Sequence, residues 1–188
     1  MSLLCTNPRY CFIHVQRTAG KSMMITLEEM GGPFIEIPLH CSWRYLTHTY
    51  PSEMRGCFTF AFVRNPWDLY VSWYNGLFKK FYPSFNEFML DWREWWNTPK
   101  FNFRNQTRPL LNTSGGIGVD FVGRYENLED DFACVLDRIG LPPTKLKRFG
   151  WSTRPPCPYA QLYTPDTRDI VAHIASPTIK AFDYAFEE

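Results

Sequence analysis

Residues 58–74 read FTFAFVRNPWDLYVSWY. Phe58 to Val63 is a short apolar run rich in aromatic residues, and it predicts a buried strand. It runs straight into Arg64-Asn65-Pro66. Asn65 can cap a helix, Pro66 suits its first position, and Asp68 complements its dipole. That helix is expected to reach about Lys80. Upstream, Tyr10 to Val15 reads as a second strand, followed by a polar loop from Gln16 to Gly20. Ser22 to Met30 reads as a helix that Gly31-Gly32 stop. Phe34 to Ile37 is a short strand candidate, and Met1-Ser2-Leu3 enters no element in this reading. Downstream, Ser84 to Glu87 is a capping box, and Val119 to Gly123 is a third long strand candidate. Asn127 is placed to cap a helix with Glu129, Asp130 and Asp131 in its first turn; Gly140 and Pro142-Pro143 end it. Thr164-Pro165-Asp166 opens a last helix, which Pro177 must break or kink. Strands alternating with helices predict an α/β protein whose parallel sheet is covered on both faces.

The chain has 188 residues, enough for a buried core, and is expected to form a single domain over 1–188. Aromatic residues make up 18%, which argues against disorder. The formal net charge is +1, so no global basic field holds nucleic acid or an anionic membrane. No run of about 18 apolar residues could span a bilayer. The first residues lack a basic segment, a long apolar run and a small-residue cleavage site, so no signal peptide is expected. The six cysteines form no CxxC pair, so no metal site is expected, and buried thiols in a cytoplasmic protein are. Any anion site must be built locally.

In parallel sheets, ligands bind where strand ends lead into helices. Two loops stand there. The first, QRTAGKS at 16–22, is rich in small and donor residues. Backbone amides at the helix start, with the hydroxyls of Thr18 and Ser22, could cradle a phosphate, and Arg17 and Lys21 add charge. Its ending resembles a Walker A loop, but Val15 stands where that motif needs glycine. Read alone, it is also an ordinary βα turn carrying two solvated cations. In the second loop, Arg64 can grip a phosphate with its planar fork, and Ser72 lies two helical turns further on. Alternatively, Arg64 pairs with a carboxylate and Ser72 packs on its helix. Phe85, Phe88, Met89, Trp92, Trp95 and Trp96 recur at helical spacing and predict a buried helix face. Phe101 to Arg104, with Arg108, could flank a sugar. His14 is expected to be a core residue of its strand.

Together the two loops resemble the phosphate-binding segments of sulfotransferases that use PAPS, 3′-phosphoadenosine 5′-phosphosulfate. The resemblance is to the carbohydrate branch, whose pattern runs FIHIPKTGGTS, then H, then FxFVRNPYDRLVSxY, then FIGRFENL. Phe12 to Ser22, His40, Phe60 to Tyr74 and Phe121 to Leu128 stand in those places. The tail from Thr164 to Phe186 resembles the family's closing helix and FxY ending.

The resemblance implies a P-loop-like three-layer αβα domain with a central parallel sheet. It implies that Arg17, Thr18, Ala19, Gly20, Lys21 and Ser22 hold the 5′-phosphosulfate, and that Arg64 and Ser72 hold the 3′-phosphate. It puts Arg124 and Tyr125 near the nucleotide, and the segment from Arg154 to Tyr163 over it. His40 falls where the family places its acceptor-activating base, with Glu36 as a fallback. Arg17 replaces the family's catalytic lysine; arginine stabilises charge but keeps its proton, and Lys21 can share the role. Gln16 and Leu69 also depart from the pattern. The expected reaction moves a sulfuryl group from PAPS to an acceptor hydroxyl on a small molecule or carbohydrate, leaving 3′,5′-ADP. Two other classes stay open: a binding module for this nucleotide without turnover, and a P-loop nucleotide kinase, against which Val15 speaks.

Overall fold

The computed structural model describes residues 2–38, 40–95, 105–149 and 158–187, with 92–95 through their backbone alone. The strands are β1 (Leu3–Thr6), β2 (Arg9–Ile13), β3 (Phe34–Ile35), β4 (Phe58–Val63) and β5 (Phe121–Arg124). The helices are α1 (Gly20–Glu29), α2 (Trp43–Thr49), α3 (Pro51–Met54), α4 (Pro66–Trp73), α5 (Phe85–Trp95), α6 (Leu128–Arg138), α7 (Pro165–Ile174) and α8 (Ser176–Phe182). The chain forms two compact units interleaved in sequence. One holds Met1–Val63 and Gln106–Trp151, and the other holds Arg64–Asn105 and Ser152–Glu188.

The first unit is a mixed α/β body around one sheet, in the order β3-β1-β2-β4-β5. β2, β4 and β5 are parallel, so the centre follows the alternating strand and helix pattern. β1 departs from it. It pairs antiparallel with β2, through a turn at Asn7-Pro8 whose peptide bond is cis, and antiparallel with β3. Ser2 and Leu3 therefore belong to the fold: Leu3 is buried, and the Ser2 hydroxyl accepts from the His14 amide at 3.2 Å. LLCT is too short to announce itself by alternation, and the Asn-Pro turn was its only local signal.

Alternation along the strands builds the core. Leu3, Cys5, Tyr10, Phe12, Phe60 and Phe62 line one face. Against them pack Met23, Met24 and Leu27 of α1 and Leu128, Phe132, Val135 and Leu136 of α6. Gly123 faces Phe62 so closely that a Cβ would lie 2.4 Å from the ring. Asn127 stands at the N-cap of α6, but its side chain donates to the Asp131 carboxylate rather than accepting a helix amide. The acids of that first turn carry the dipole compensation instead. α2 and α3 escaped the sequence reading because each buries a single apolar residue, Leu46 and Met54.

In the second unit, Asn65 caps α4 as expected, accepting from the Trp67 amide at 3.1 Å. The helical run reaches Phe78, with Lys79 at its C-cap, close to the expected end near Lys80, but beyond Trp73 it widens from α-helix into a π-helical turn over Tyr74–Phe78. Phe85, Phe88 and Met89 of α5 are buried with Trp67, Tyr70, Val71 and Tyr74, as their spacing predicted. Trp96, Phe101 to Arg104 and Arg154 lie outside the described residues. Thr164 and Thr167 form a reciprocal capping box on α7. The chain breaks at Ala175, leaving Pro177 in the first turn of α8. Among the described residues no helix is long and apolar enough to cross a membrane.

Candidate functional site

The carboxyl ends of β2, β4 and β5 lie along one edge of the sheet, with Val63 paired to Arg124. Beyond β2, residues 16–19 turn the chain into α1. Arg17 and Ala19 both adopt left-handed backbone, with φ 65° and 60°. Neither is glycine, so each is strained by about 1–2 kcal/mol. Ala19 is the N-cap of α1 and offers no side-chain acceptor, and the first turn carries no Asp or Glu. The positive end of α1 thus has neither of the usual compensations, while Lys21 stands exposed on its first turn. That is the arrangement an anion completes.

The hydroxyls of the loop point inward. Thr18 is fully buried and donates to the Val15 carbonyl at 2.8 Å. Ser22 is buried, and its Oγ accepts from the Phe149 amide at 3.2 Å. Lys21 Nζ lies 3.8 Å from the centre of the Phe149 ring.

His14 lies just past β2, half-buried rather than in the core, and the sequence reading missed its place here. A Cβ on Gly20 would stand 2.0 Å from His14 Cδ2, so only glycine fits at the start of α1. Gly20→Ala is expected to destabilise the protein by about 1–3 kcal/mol in chemical unfolding. His14→Ala should relieve much of that cost in the double variant, and strictly additive losses would contradict the clash. Conversely, Ala19→Gly should stabilise by about 0.5–1 kcal/mol, since glycine accepts left-handed backbone without strain. An unchanged unfolding midpoint would remove strain from the account of this loop.

His40 sits in an exposed turn with φ 56°. Its ring lies 5.1 Å from that of His14, and Nδ1 is 3.5 Å from the His14 carbonyl oxygen. Desolvation lowers its pKa below the ordinary histidine value, while the bond to that carbonyl works in the opposite direction. His14, Arg17 to Ser22 and His40 are thus one neighbourhood, joined through Gly20. Glu36 is exposed just after β3. Arg124 ends β5 with its side chain exposed and its amide donating to Asp131 at 2.6 Å; Tyr125 is half-buried against the core.

In the second unit Arg64 follows β4 directly. Its Nε donates to Asp68 Oδ2 at 2.7 Å, and Nη2 lies 2.6 Å from the same oxygen. Asp68 and Ser72, four residues apart, share one face of α4. Ser72 is buried. The alternative reading of this motif, a paired arginine and a packed serine, describes the present arrangement, and the Arg64 side chain is already drawn along the face that carries Ser72. Asp68 was legible in the sequence only as a dipole partner. Its i, i+4 relation to Arg64 is the signal that marks it as the fork's holder.

An uncharacterized protein of Archaeoglobus fulgidus is 43% identical to this chain over 90 residues, which cover 46% of this chain and 71% of that protein. No solved structure matches. The sulfotransferase family model matches residues 3–154, from β1 through both loops and past α6, and on that span the chain belongs to the sulfotransferase family.

Proposed function

We propose that this sulfotransferase moves a sulfuryl group from PAPS to an acceptor hydroxyl on a carbohydrate, on a P-loop-like three-layer αβα fold. The observation that carries the reading is the uncapped N-terminus of α1, flanked by Arg17 and Lys21, with His40 one imidazole away across His14. PAPS would supply the sulfuryl group and a phosphate leaving group, and these residues suit it: amides and cations for the 5′-phosphosulfate, and Arg64 with Ser72 for the 3′-phosphate. Arg124 and Tyr125, at the end of the third parallel strand, border the nucleotide in this reading.

The residues divide the work. His40 accepts the proton of the acceptor hydroxyl as its oxygen bonds to sulfur. Arg17 and Lys21 stabilise the charge that gathers on the phosphate oxygen as the S–O bond breaks. Arg17 would do so without giving up a proton, and Lys21 could share the role. The remaining acceleration comes from alignment, as in phosphoryl transfer.

We place the protein in the cytoplasm, with no nucleic-acid or membrane partner. Its thiols support a reducing compartment: Cys5, Cys11, Cys41 and Cys57 are buried and unbridged. Burial pushes the Cys57 thiol up to about 11, far from a reactive thiolate.

The test is transfer of label from sulfur-labelled PAPS to a panel of oligosaccharides. Labelled sugar supports the reading. Tight binding of 3′,5′-ADP with no transfer to any acceptor makes the chain a nucleotide-binding module, and preference for ATP with magnesium over 3′,5′-ADP makes it a kinase.

A further inference from the structure

The family match ends at residue 154, yet the segment after α8 is built into the turn that carries Arg64. Asp183 takes left-handed backbone with φ 51° and ends α8, and Tyr184 closes that end by donating to the Ile179 carbonyl at 3.1 Å. The chain then runs back over Asn65. The Asn65 side chain, 2% exposed, has two jobs. Its oxygen caps α4 through the Trp67 amide, and its Nδ2 donates to the Ala185 carbonyl at 2.9 Å and to the Tyr159 hydroxyl at 3.3 Å. The same Tyr159 oxygen accepts from the Glu187 amide at 2.8 Å.

Phe186 fills the space between these contacts. Its ring meets Trp67, Tyr159 and Tyr163 edge-on, with centroids 5.6, 5.5 and 5.5 Å away. The Arg168 guanidinium lies 5.2 Å over the Phe186 ring. Trp67 is further held at both ends: its indole N–H donates to the Arg168 carbonyl, and its own carbonyl accepts from the Tyr163 hydroxyl. Asn65 and Trp67 flank Pro66 and follow Arg64 directly. Their backbone therefore sets the direction in which the Arg64 fork leaves the chain.

We propose that Tyr184–Glu187 is a positioning segment for the nucleotide's 3′-phosphate, with Phe186 as its anchor. This rests on the nucleotide reading above. The segment touches no reacting atom; it locks the Asn65-Pro66-Trp67 turn so that Arg64 presents its fork along the Ser72 face of α4. Aromatic edge-to-face contacts and a buried amide suit this task, because both are directional and tolerate little rotation.

The test compares 3′,5′-ADP with 5′-AMP by calorimetry on the full chain. Wild type should prefer 3′,5′-ADP by about tenfold or more. Phe186→Ala should cut that preference to about threefold or less while 5′-AMP affinity stays within about twofold. Phe186→Tyr, which keeps the ring, should restore it. Tyr159→Phe removes only the oxygen shared by Asn65 and Glu187 and should lower the preference in the same direction; it keeps the test alive if Phe186→Ala does not fold. A variant that loses affinity for both nucleotides equally would make the segment merely structural and overturn the proposal, as would an undiminished preference. A wild type that binds both nucleotides alike overturns the nucleotide reading itself.

Discussion

His40→Ala is expected to lower kcat by about 10²–10⁴-fold while leaving the affinity for 3′,5′-ADP within about twofold. The argument starts from the His14 carbonyl. A carbonyl can only accept, so the contact at His40 Nδ1 puts the proton on that nitrogen and leaves Nε2 as the lone-pair donor. Desolvation then keeps the ring neutral at physiological pH by lowering its pKa. A base with lowered pKa is already unprotonated at pH 7 and loses function only when acid reaches it. The acid limb of kcat/KM should therefore lie below the ordinary histidine value of about 6.5 and vanish in His40→Ala. The same sign holds for stability. The unfolded state takes up this proton first, so the contribution of neutral His40 is complete above the unfolded pKa and declines as pH falls toward the folded one. An unchanged kcat in His40→Ala, or an acid limb that persists, would pass the role to another base such as Glu36.

The parts of this fold that were legible are those where local signals agreed. Phe58–Val63 followed by Asn65-Pro66 announces a strand, a cap and a first helical position in consecutive residues, and the structure has all three. The helix start at Thr164-Pro165 and the helix break before Pro177 are of the same kind. What escaped depends on distant partners. β1 is four residues long and acquires its identity from pairing with both β2 and β3. His14 looked like a core residue because it follows Phe12 at strand spacing, but β2 ends at Ile13. The ring then sits against Gly20, six residues on, where sequence patterning gives no warning of close approach. The loop hydroxyls also meet partners that the sequence does not announce. Thr18 and Ser22 have the chemistry of phosphate ligands, yet the tight turn into α1 and the return of residues 147–149 along that helix use both internally. Residue type shows what a side chain can do; only the surrounding backbone decides which partner it meets.

Arg64→Ala should weaken 3′,5′-ADP binding by about 2–4 kcal/mol, or roughly 30- to 700-fold in Kd. Two effects combine there. The fork that matches a phosphate is lost, and the Asp68 carboxylate, which both Nε and Nη2 now hold, is left uncompensated beside the place the phosphate would take. Like charges at such range oppose binding, so removing Asp68 as well should recover part of the loss: Arg64→Ala with Asp68→Ala is expected to bind more tightly than Arg64→Ala alone. Arg64→Lys keeps the charge but not the planar pair of donors, and should fall between wild type and Arg64→Ala. Asp68→Asn, in an otherwise intact chain, tests which part of the ion pair matters. If Asp68 serves chiefly to aim the fork, affinity falls although a repulsive charge has gone; if it chiefly competes for the guanidinium, affinity rises. The directional contacts that fix the turn on both sides of Pro66 favour aiming, because a fork that must meet a tetrahedral anion gains more from a set direction than it loses by sharing one donor edge with a carboxylate. Unimpaired binding in Arg64→Ala would end the assignment of the 3′-phosphate to α4 and leave the uncapped start of α1 as the sole anchor for the nucleotide.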